Sequence, residues 1–102
     1  MSKEKTIREV RGEFISHIKH LTKYWNEVKN KDCKEKLDGL AFSILAMLDG
    51  SSADICGFVV APCPHEDDKQ YNIDNGNDYY PENDSAMINC DIAGSLHDEF
   101  YK

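Results

Sequence analysis

The apolar residues of the first thirty positions fall at Ile7, Val10, Phe14, Ile18, Leu21, Trp25 and Val28. Their spacings of 3, 4, 4, 3, 4 and 3 draw one continuous stripe along a helix. This predicts a helix from about Lys3 to Asn30. Thr6 and Glu9 stand at capping-box spacing, which sets its stable start near Thr6. Gly12 lies inside it, at a cost of about 1 kcal/mol relative to alanine. Asn30-Lys31-Asp32 breaks the pattern, and Asp32 with Glu35 repeats the capping spacing. A second helix is then expected through Cys33, Leu37, Leu40, Ala41, Ile44, Met47 and Leu48, with Gly50 as its stop. Its apolar arc is wide near the end, so it is expected to form the centre of the core. A short turn between two amphipathic helices makes an antiparallel hairpin.

Beyond Gly50 the periodicity changes. Ile55-Cys56-Gly57-Phe58-Val59-Val60-Ala61 is a near-continuous apolar run, rich in β-branched and aromatic residues, and reads as a strand ended by Pro62 and Pro64. Tyr71-Ile73, Tyr79-Tyr80 and Ala86-Cys90 read as further short strands, with a turn at Asp74-Asn75-Gly76-Asn77-Asp78. Leu96 and Phe100, four apart, suggest a short last helix over Ser95 to Tyr101. The expected fold is α+β: one domain over 1–102, an N-terminal antiparallel helical hairpin packed on a small antiparallel β-sheet, a polar acidic loop at about 66–85, and a short C-terminal helix.

Three segments carry a family resemblance when taken together. They are Glu35-Lys36-Leu37-Asp38-Gly39-Leu40-Ala41-Phe42-Ser43-Ile44-Leu45, the Pro62-Cys63-Pro64-His65 turn with its acidic continuation, and Ile92-Ala93-Gly94-Ser95-Leu96-His97-Asp98-Glu99-Phe100-Tyr101. The combination resembles small uncharacterised proteins carried by bacteriophages and prophages, over most of the chain. The resemblance implies a bacterial or phage setting and carries over no functional residue.

Charge adds an asymmetry. Residues 1–36 hold ten lysines and arginines against six acids, a net +4; residues 37–102 hold two against thirteen, a net −11. A net charge of −7 for the 102 residues disfavours non-specific nucleic-acid or membrane binding. No apolar stretch reaches the roughly 20 residues that span a bilayer. Met1 to Thr6 is charged with no apolar signal core behind it, so a cytoplasmic protein with reduced Cys33, Cys56, Cys63 and Cys90 is expected.

Candidate chemistry is sparse. Cys56, Cys63 and His65, with His97, are the residues that would hold zinc or support hydrolysis. Structural zinc sites place paired ligands two to four residues apart, whereas Cys56 and Cys63 are seven apart. His17 and His20, one turn apart, read as a solvated face beside Lys19 and Lys23. Asp74-x-Gly76-x-Asp78 has the look of a calcium loop but lacks the glycine at position six and the glutamate at position twelve. Cys63 beside His65 has no oxyanion site in view. No phosphate-binding glycine loop, zinc-protease helix or serine elbow is present, and no cofactor is expected. Tyr71, Tyr79, Tyr80 and Tyr101, in polar sequence, are the residues expected at a protein interface. The reading that results is a non-enzymatic accessory protein that binds another protein. Its alternative is a small zinc-binding or hydrolytic protein using Cys56, Cys63 and His65. The first helix, at about 25 residues, outruns the second. Ile7, Val10 and Phe14 are therefore expected to lack an intramolecular partner and to support a homodimer through helix one, by antiparallel pairing.

Overall fold

The computed structural model describes residues 1–102. It contains four helices: α1 (Ile7–Glu27), α2 (Cys33–Leu48), α3 (Asp68–Asp74) and α4 (Leu96–Glu99). The chain divides into two compact units, Met1–Phe58 with Gly94–Lys102, and Val59–Ala93. No helix is long and apolar enough to cross a membrane.

In the first unit both long helices begin where their caps require. The Thr6 hydroxyl accepts from the Glu9 amide at 3.1 Å, and the Thr6 amide donates to the Glu9 carboxylate at 3.1 Å. Asp32 and Glu35 repeat the exchange at 2.8 and 3.2 Å. Each box satisfies a donor that the first turn would leave orphaned. At the far end of α1, Lys36 Nζ donates to the free Asn26 carbonyl at 3.1 Å. The end of α2 is a Schellman motif: Ser51 N–H bonds the Ala46 carbonyl at 2.9 Å and Gly50 N–H bonds the Met47 carbonyl at 3.1 Å. Gly50 takes the positive φ, 84°, that this closure needs.

The hairpin closes around Trp25. A Cβ at Gly39 would lie 2.5 Å from the Trp25 ring, so the indole occupies the space a side chain would fill. Its Nε1–H donates to Ser43 Oγ at 2.9 Å. Met47 is the only large hydrophobic residue fully buried. Leu40 and Ile44 are half-buried, and Leu37 is 66% exposed, so the core is a thin seam rather than the wide α2 arc that the spacing suggests.

The expected β-sheet is absent. The chain is 47% helical and forms no strand, which overturns the α+β assignment. The apolar run Ile55–Ala61 explains why. Its first half turns back, with Gly57 against the Gly50 backbone at a separation that leaves no room for a Cβ, and Phe58 N–H captures the Leu48 carbonyl at 3.0 Å. Its second half enters the second unit. There Ile92 N–H bonds the Val60 carbonyl at 2.7 Å, but the Val60 amide goes to the Asp91 carboxylate at 2.9 Å. A side chain has taken the donor that a ladder would use. Cys90, at φ 58°, leaves the extended region, and Pro62 and Pro64 bring no N–H. Tyr71–Ile73, expected as a strand, lies in α3. Tyr79-Tyr80 and Ala86–Cys90 are irregular.

Candidate functional site

Two features of the first unit stand out, an apolar groove and a buried carboxylate. The groove forms because α1 runs on past the part of the hairpin that α2 covers. Ile7, Val10 and Phe14 succeed one another along the stripe, and Phe58, held by its bond to the end of α2, meets Phe14 edge-on at 5.1 Å between centroids and 89° between planes. Together with Lys5 and Arg11 they line a groove of about 370 Å³. Ile7 is 78% exposed and Val10 36%.

The groove's charged edges differ. Lys5 is neutralised by Glu13 at 2.8 Å, and that carboxylate raises the ammonium pKa through hydrogen bonding and charge. Arg11, which also lines the groove, enters none of the ion pairs of the protein. Of the three residues expected to lack an intramolecular partner, Ile7 is exposed, whereas Phe14 is packed against Phe58 of its own unit. Leu96 and Phe100 do not fill the place, because α4 packs on α2 instead.

The carboxylate is Asp49, the C-cap of α2. Its side chain is 0% exposed. Oδ1 accepts from Gly94 N–H at 2.6 Å; Oδ2 accepts from His97 N–H at 2.8 Å and meets His97 Nδ1 at 2.5 Å. Desolvation pushes this carboxyl upward. The His97 amide and ring and the amides of Gly94 and Leu96 together outweigh it, and hold the pKa at about 2 against an ordinary 3.8. Asp49 therefore caps α4 from the end of α2. Behind it Phe42 meets His97 edge-on at 5.7 Å and stacks on Tyr101 at 5.6 Å. An aspartate that orients a histidine is half of a general-base arrangement, and His97 Nε2 faces Asp98 at 3.5 Å rather than a hydroxyl or thiol. The arrangement anchors the C-terminal segment.

The sequence-derived candidates are distributed between the units. Cys56 and His97 belong to the first; Cys63 and His65 belong to the second. All four cysteines are free and exposed. Potential ligand atoms come within 4.8 Å of one another at His65, Glu66 and Asp67, all exposed, a group that takes in one of the residues proposed for zinc. Tyr71, Tyr79 and Tyr80 are exposed in the second unit, with Lys69 Nζ 5.3 Å from the Tyr79 ring centre. Tyr101 is in the first unit against Phe42, with 64% exposure. Asp49 went unrecognised in the sequence, where it reads as part of a helix stop. The adjacent Gly50 carries a signal for the cap, but none for the partner 48 residues away.

No family model matches this chain, and no curated protein or solved structure matches it.

Proposed function

We propose that this chain is a non-enzymatic accessory protein of a bacterial or phage cytoplasm that acts by binding another protein, with the α1 groove as its docking face. The observation that carries this reading is the imbalance between buried and exposed apolar surface. One large hydrophobic residue is fully buried and sixteen are exposed. The accessible area is 8281 Å². A single compact body of this mass would expose about 5,800 Å², and two separate compact bodies divided as the two units are would expose about 7,000 Å². Apolar surface left in water at this level marks interaction sites in folded proteins. The clustering of Ile7, Val10, Phe14 and Phe58 at one place supports a specific site over scattered exposure.

The test is affinity capture from bacterial lysate on immobilised full-length protein, compared with Ile7→Asp/Val10→Asp. The expected result is a stoichiometric protein retained by the natural chain and lost from the variant, with the helical circular dichroism of the two unchanged. Identical retention by both, or none above the blank support, would overturn the reading.

A further inference from the structure

We propose that His17, His20 and Asp54 form a binding site for a divalent transition-metal ion of the zinc class, where α1 meets the loop that follows α2. All three belong to the first unit. Glu13, Ser16, His17 and His20 succeed one another at spacings of 3, 1 and 3, so they share one face of α1. That face and the loop residues Asp54 and Ile55 line one cleft of about 320 Å³. Glu13 and Asp54 also border a second opening, with Lys5 and Cys56, which again sets the loop against this stretch of the helix. The two histidines alone read as a solvated face. The carboxylate that changes this lies 34 residues beyond His20. None of the cleft's lining residues belongs to the groove of Ile7, Val10, Phe14 and Phe58, so the site goes beyond the protein-binding reading.

Two imidazoles and a carboxylate are the donors that suit zinc, and three protein ligands leave its fourth position to water. Cβ atoms one helical turn apart lie about 5–6 Å from each other, and a zinc–nitrogen bond is about 2 Å. Turning the two rings about their side-chain bonds therefore brings a nitrogen of each onto one ion, with no change in the helix. The three residues are also uncommitted, since none enters an ion pair. Glu13, by contrast, is held by Lys5, and His97 by Asp49. Lys19 and Lys23 do not line the cleft. His65, Glu66 and Asp67 bring ligand atoms within 4.8 Å of one another, but they are consecutive residues on an exposed turn, and His65 Nδ1 already accepts from the Asp67 amide at 3.2 Å. That group is the control.

The experiment is titration of the full, metal-free chain with Zn2+, followed by calorimetry and by the ring-nitrogen resonances of the histidines. The expected result is one ion per chain, with the His17 and His20 ring signals shifting together to saturation while those of His65 and His97 stay in place. His17→Gln, His20→Ala and Asp54→Asn should each weaken binding about tenfold or more, and His65→Ala should leave it unchanged. Circular dichroism checks that each variant is folded. His20 and Asp54 are exposed, so their two variants decide the matter even if His17→Gln disturbs the helix. A Kd above about 1 mM for the natural chain overturns the proposal. So does binding that His65→Ala abolishes, or binding indifferent to His20→Ala or to Asp54→Asn.

Discussion

The two units solve the same problem, satisfying backbone polar groups in a short chain, by different means. Met1–Phe58 with Gly94–Lys102 does it with helices, whose hydrogen bonds are internal. It needs side chains only at the ends: Thr6, Asp32 and Asp49 as caps, and Lys36 on a free carbonyl. Its apolar residues are then free to pack, around Met47, Trp25 and the Phe14–Phe58 contact. Val59–Ala93 has one short helix, α3, and outside it relies largely on asparagine and aspartate side chains. Asp91 takes the amides of Val60 and Ala93; Asp84 takes those of Ala86 and Met87; Asn89 bonds both Asn83 and the Glu82 carbonyl. No residue of this unit is buried. The contrast teaches that local polar closure can shape a chain without a core, and leaves its apolar residues for other uses.

The largest effect should come from the one fully buried hydrophobic side chain. Met47→Ala is expected to cost about 2–5 kcal/mol, whereas Ile88→Ala in the second unit should stay within about 0.5 kcal/mol. Urea unfolding followed by the fluorescence of Trp25, the only tryptophan, measures the first, and amide exchange across residues 59–93 measures the second. Equal losses would erase the contrast between the units.

Next is Gly39→Ala. The added Cβ meets the Trp25 ring at 2.5 Å, so the indole must move, at about 1–3 kcal/mol. Its emission should shift to the red as the Ser43 hydrogen bond is lost. An unchanged spectrum and midpoint would show that the hairpin adjusts freely.

Asp49→Asn should release the C-terminal segment while the hairpin stays folded. Amide exchange at Gly94 and His97 is expected to rise by about tenfold or more. The pH dependence has a defined sign. The Asp49 carboxyl is depressed to about 2, so its contribution is complete above the ordinary carboxylate range and disappears as pH falls through about 2. Nuclear magnetic resonance of the His97 amide between about pH 1.5 and 5 follows this. A midpoint above about 4 would show that the clamp is not what lowers the carboxyl.

The smallest effect is local. Asp91→Ala removes the acceptor that holds Val60 and Ala93, an arrangement that also lowers the Asp91 pKa. Faster exchange at those two amides is expected, with the urea midpoint of the Trp25 signal unmoved. A shift of that midpoint would mean that the first unit depends on the second.

The legible parts were those whose causes are close in sequence. The Thr6–Glu9 and Asp32–Glu35 boxes, the stripe from Ile7 and the stop at Gly50 all act within a turn or two; both helices begin where the boxes point and α2 ends at its stop, whereas α1, expected to reach Asn30, ends at Glu27 with Val28 already extended. The illegible parts depend on partners far along the chain. The run Ile55–Ala61 has strand composition, but a strand exists only if another segment presents free donors and acceptors in register. Asp91 supplies a carboxylate in place of a ladder. The exposure of Leu37 shows the same limit, since its position on an apolar arc does not say what covers that arc. Of the candidate site, Ile7, Val10 and Phe14 could be picked out from helix length alone. Phe58 at the groove and the Asp49–His97 clamp could not, being separated from their partners by 44 and 48 residues.

By itself, then, the sequence determined the two long helices, their caps and the uneven charge, because propensity, capping and charge are properties of neighbouring residues. Only the tertiary structure decided that the apolar run would fold back rather than pair, that the core would shrink to a seam around Met47, and that a helix-ending aspartate would be buried against His97. These outcomes depend on which distant group reaches a donor or a surface first, a competition that local pattern does not encode.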